Sequence, residues 1–66
     1  MEKLLENITK IKGVESIWVD RFSSAHKTVV LCARSISRAC DAKILKTYAN
    51  HTQPQNWNIE IEIERT

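Results

Sequence analysis

Apolar and polar residues alternate almost without fault at the end of this chain. In NWNIEIEIERT, Trp57, Ile59, Ile61 and Ile63 fall on one side of an extended strand, and Asn58, Glu60, Glu62 and Glu64 fall on the other. Elsewhere the period changes. Over residues 2–12, Leu4, Leu5, Ile8 and Ile11 recur at helical spacing. Glu2 lies in the first turn and Lys10 and Lys12 in the last, which suits the helix dipole. Gly13 follows as a left-handed cap. Residues 14–22, VESIWVDRF, predict a strand with Ile17 and Val19 on one face. Trp18 and Phe22 take the opposite face, with Asp20 between them. The polar segment 23–27, SSAHK, is short enough for a hairpin. A second strand over 28–34, TVVLCAR, then pairs antiparallel to the first. Val29, Leu31 and Ala33 share one of its faces, and Val30 and Cys32 share the other.

In SISRACDAKILKTYAN, Ser35 or Ser37 can cap a helix. Its apolar stripe is Ile36, Cys40, Ile44 and Tyr48, with Leu45 alongside. Residues 50–56, around Pro54, read as a loop before the final strand. The fold class is therefore α+β, in the order αββαβ, as a single domain over residues 1–66. Two helices pack on one face of a three-stranded mixed sheet. The second helix is a crossover, and the right-handed preference makes strands two and three parallel. Ile17, Val19, Val29, Leu31, Ile59, Ile61 and Ile63 then face the helices.

If the isoleucines point in, the glutamates point out, onto an open sheet face. They are either solvated and paired with Arg34 or Lys27, or they await a basic partner. By alternation Trp18 shares that face with Val30 and Cys32. An exposed tryptophan costs solubility unless something covers it, and tryptophan is enriched at binding hot spots. The candidate partner-binding surface is thus Trp18, Val30 and Cys32 as an apolar half and Glu60 and Glu62 as an acidic half. It suits a homodimer or a protein partner. A shift of register by one residue, or coverage of Trp18 by the chain ends, would remove the apolar half.

Composition narrows the class. A chain of 66 residues buries only about 60% of its unfolded surface, so its stability is small without a disulfide, a metal or a partner. With 42% hydrophobic and 27% charged residues, it falls among soluble globular chains. No apolar run approaches the roughly 20 residues of a membrane helix, so no membrane span is expected. MEKLLENITK is too charged for a secretory signal, and the simplest reading is a cytoplasmic protein. There Cys32 and Cys40 serve as small hydrophobes with free thiols; in a secreted chain they could form one disulfide.

Candidate chemistry is sparse. His26, His51, Cys32 and Cys40 match no compact zinc spacing, and both histidines read as surface residues. Cys40 lies near a helix start, which can activate a thiol, but also on the apolar stripe, which favours burial. A single glycine rules out a glycine-rich phosphate loop. Glu60, Glu62 and Glu64 would stand on a flat sheet, without the pocket that general acid–base catalysis needs. The formal charge of +2 is too small to imply nucleic acid, and an acidic sheet repels phosphate. The N-x-T matches at Asn7 and Asn50 are chance-level patterns. No catalytic, metal or cofactor site is expected, and the chain is read as non-enzymatic.

The stretches IKGVESIWVDRF, KTVVLCA, SISRACDAKILKTYA and NWNIEIEIE together resemble the cytoplasmic domain of cation diffusion facilitator transporters. In that family a Gly-Val pair opens the first strand and a serine starts the second helix, matched here by Gly13, Val14 and Ser35. The resemblance implies dimerisation and a ferredoxin-like fold lacking its first strand. The family's metal-binding histidine in the second helix has no counterpart in CDAK, so no metal site is carried over. The element order is also similar to BON and ring-building domains of bacterial envelopes, which usually carry a glycine near the second strand that is missing here. Both resemblances imply assembly rather than chemistry. The expected function is a small protein–protein interaction or oligomerisation module acting through the open sheet face or an edge strand. Alternatives are a phage- or plasmid-type inhibitor of a larger machine, a metal-sensing regulatory domain, and a weak nucleic-acid binder.

Overall fold

The computed structural model describes residues 2–51 and 56–66. The elements run α1 (Glu2–Thr9), β1 (Val14–Ser23), β2 (Thr28–Ser35), α2 (Arg38–Asn50) and β3 (Asn58–Arg65). The expected α+β architecture is the observed one. The sheet order is β1-β2-β3, with β1 antiparallel and β3 parallel to β2. The expected loop at 50–56 lies largely outside the described residues, which omit 52–55.

One core forms between the helices and the inner sheet face. Leu4 and Ile8 of α1 meet Val29, Leu31 and Ala33 of β2, Cys40 and Ile44 of α2, and Ile59 of β3. Leu4, Ile8, Leu31 and Ile44 have no exposed surface. Burial of each such side chain contributes about 1.5–3 kcal/mol. Ile17, Ile61, Ile63, Tyr48 and Trp57 pack around the rim of this cluster.

Local chemistry fixes the joints. Gly13 has φ +103°, and a Cβ there would lie 3.1 Å from Ile36 Cγ1 and 3.2 Å from the Cβ and Sγ of Cys40. The glycine therefore answers both a backbone and a packing demand. Helix α1 ends at Thr9, so Lys10 and Lys12 lie beyond its last turn rather than in it. At α2 the choice between two serines resolves by role. Ser37 is the N-cap and accepts from the Cys40 N–H at 3.2 Å. Ser35 is fully buried and donates its hydroxyl to the Ser37 carbonyl at 2.9 Å. Ile36 therefore precedes the helix instead of opening its stripe, and it is 54% exposed.

Two register shifts in β1, at Val14/Ser16 and Val19/Arg21, depart from regular alternation. Trp18 pairs with Cys32 and Val19 with Leu31, but after the extra residue Arg21 pairs with Val30 and Phe22 with Val29. Phe22 is thereby moved from the expected open face to the helix side. There it stacks on Trp57, with ring centroids 5.5 Å apart. Val19 keeps its expected face but sits on an edge strand and is 44% exposed, so it is not a core residue.

Candidate functional site

The five residues singled out from the sequence do lie on one sheet face, in two adjoining rows. One row is Trp18–Cys32–Glu62 and the next is Arg21–Val30–Glu60. Their exposure differs from expectation. Val30 is 8% and Cys32 is 4% exposed, so the central strand is covered within the chain itself. Trp18 is half-buried, and the Arg34 guanidinium carbon lies 5.8 Å from its ring centroid. Glu60 and Glu62 are exposed.

Long charged side chains supply the cover. Arg21 of β1 bonds Glu62 of β3, and because β2 lies between these strands, the pair crosses over it. Arg21 also reaches Asp20 at 3.2 Å, and Arg34 donates to Glu64 at 3.1 Å. The expected partner Arg34 is thus found; Arg21 joins the face only because of the bulge, which nothing in VESIWVDRF announces. Exposed ion pairs of this kind stabilise by about 0–1 kcal/mol each. In the same rows Arg21 stands beside Val30 and Trp18 beside Cys32.

Cys32 donates to Glu64 Oε2 at 3.6 Å. Burial, then the Glu64 hydrogen bond and the surrounding carboxylates, push its thiol above the ordinary value. The thiol is held protonated and unreactive. Cys40 is buried in the core on the other side of the sheet, so the two cysteines face apart and both are free. At the start of α2, the Ser35 hydroxyl, followed by the Arg65 guanidinium, holds the Asp41 carboxyl below the ordinary aspartate range, against an opposing effect of burial. Arg65 bonds Asp41 Oδ2, which ties the end of β3 to α2.

The sheet has two outer edges of different character. The bulges break the edge of β1. β3 runs beside β2 in unbroken register from Asn58 to Arg65. The Asn58 N–H bonds the Lys27 carbonyl at 2.8 Å and the Thr66 N–H bonds the Ser35 carbonyl at 3.1 Å. Even-numbered residues of β3 therefore turn their backbone groups toward β2, and Ile59, Ile61, Ile63 and Arg65 turn theirs outward. Tyr48 donates its hydroxyl to the Ile59 carbonyl. Among the described residues this leaves a stretch from Ile61 to Arg65 as the regular outer edge. Sequence alone placed Tyr48 on the helix stripe but gave no sign that its hydroxyl would cap a strand.

His26 is exposed in the hairpin, as expected, and no group of three or more potential metal ligands occurs among the described residues. No helix among them is long and apolar enough to cross a membrane. Compared with protein-family models, curated proteins and solved structures, the chain matches none.

Proposed function

We propose that this domain is a non-enzymatic protein-binding module whose partner adds a strand to the outer edge of β3. The observation that carries this reading is the contrast between the two edges. β1 is interrupted twice, whereas β3 is regular and offers the outward backbone groups of Ile61, Ile63 and Arg65. Strand addition uses such groups for affinity and alternate side chains for specificity. The open face, by contrast, is already closed over Val30 and Cys32, which weakens it as a hydrophobic docking surface. The resemblance to small assembly domains points toward binding as well.

The test is a pair of variants used to recover binding proteins from the native host. Ile63→Pro removes an outward N–H and leaves the β2 ladder whole. Trp18→Glu alters the open face and leaves the β3 edge unchanged. Both must first match the wild type by circular dichroism. The reading expects a specific partner that is lost with Ile63→Pro and kept with Trp18→Glu. The opposite pattern would place binding on the open face.

A further inference from the structure

We infer that the strand seated on β3 comes from a foreign chain and carries lysine or arginine at alternate positions, with apolar residues between them. This rests on the edge-binding reading and specifies the chemistry of its partner.

Side chains directly opposite each other in adjacent strands share a face. A strand added at β3 must place every second side chain beside Glu60, Glu62 and Glu64. The others fall beside Ile61 and Ile63, which are half-buried and line the core side. The two faces thus ask for different chemistry at alternate positions.

The carboxylates on the open face are only partly compensated. Asp20, Glu60, Glu62 and Glu64 stand against Arg21 and Arg34, two more acids than bases, in a chain whose formal charge is +2. Arg21 is shared by Asp20 and Glu62, Arg34 serves Glu64, and Glu60 has no ion pair among the described residues. Its hydrogen bond is from the Asn58 side-chain amide at 3.0 Å, which neutralises no charge, and no lysine or arginine reaches it among the described residues. A groove of about 500 Å³ opens beside it, bordered by Val30, Thr28 and Phe22. Arg21 and His26 border it too, but the Arg21 guanidinium is already engaged by Asp20 and Glu62. An incoming lysine directly opposite Glu60 can set its ammonium against that carboxylate.

A second copy fits poorly. In a two-fold antiparallel pair of β3 strands, positions that face each other have the same parity. Centred on Glu62, Glu60 meets Glu64; centred on Ile61, Glu60 meets Glu62. Like charges directly opposite are destabilising, so the glutamate row that invites a basic strand also discourages self-pairing.

The experiment titrates the intact chain, ¹⁵N-labelled, with three blocked heptapeptides. One alternates lysine and valine, one serine and valine, and one glutamate and valine. Amide shifts of Ile61, Ile63 and Arg65 report binding at the edge, at low and at high salt. The lysine peptide is expected to perturb these amides and to bind at least tenfold tighter than the serine peptide at low salt, with the gap narrowing as salt rises. Glu60→Lys is expected to reduce that preference and leave serine-peptide binding unchanged. If lysine and serine peptides shift the same amides with equal affinity, the charge inference falls and the edge reading stands. If the glutamate peptide binds as well as the lysine one, the charge inference falls too. If no peptide moves Ile61 and Ile63, both fall.

Discussion

Gly13 sits tight against Ile36 and Cys40 at the entry to β1. Its positive φ strains any side chain, and a methyl group there would push Ile36 and Cys40 back by a few tenths of an ångström. Gly13→Ala is expected to cost about 2 kcal/mol or more from backbone strain and displacement of Cys40. A chain of this size has about 3–10 kcal/mol in total, so the loss will be plain in a urea melt. Asp41 sets an acid limit. Its carboxyl is lowered when folded, so the stability it gives is complete above the ordinary aspartate value of 3.8 and is lost as pH falls through the lower folded value. Melts of the wild type should weaken below about pH 4, and Asp41→Asn should flatten that part of the decline. Cys32 behaves in the opposite sense, being raised by burial and Glu64. At pH 8 it should react with a thiol reagent much more slowly in the folded chain than in urea.

At the scale of elements, β3 and β2 were readable because β-branched residues alternate or run together there, and the core they predict is the one that forms. α2 was readable except at its start, where Ser35 and Ser37 are chemically alike and only burial separates cap from core. In β1 the alternation fails beyond Val19. A bulge without glycine or proline leaves no mark in the sequence, and it sent Phe22 to Trp57 and Arg21 to the open face. Phe22 is 62% exposed, so Phe22→Ala should cost no more than about 1 kcal/mol through the lost stacking. Proline scanning of β3 tests the direction of its backbone groups. Proline at 62 removes a ladder bond to β2 and should unfold or severely weaken the chain, whereas proline at 63 should be tolerated. Equal damage at both positions would mean that the assigned alternation is wrong.

On the scale of the whole molecule, the fold was legible, and so was the membership of the open face apart from Phe22 and Arg21, but the state of that face was not. Trp18, Val30, Cys32, Glu60 and Glu62 are neighbours as expected. Whether they form an exposed patch depends on where Arg21 and Arg34 lie, and that is set by a bulge and by side-chain reach rather than by local pattern. With the apolar centre covered and β3 guarded by like charges, the isolated chain is expected to be a monomer by light scattering at tens of micromolar. This departs from the homodimer that an exposed Trp18 would favour.

The outer edge of β3 is expected to stand open from Ile61 onward. Backbone hydrogen exchange of the free chain, followed residue by residue by NMR, tests it most directly. The amides of Glu60, Glu62 and Glu64 should be protected by their bonds to β2, and those of Ile61 and Ile63 should exchange much faster, in strict alternation. If Ile61 and Ile63 are as protected as Glu62, that edge is already covered and a binding role for it is contradicted.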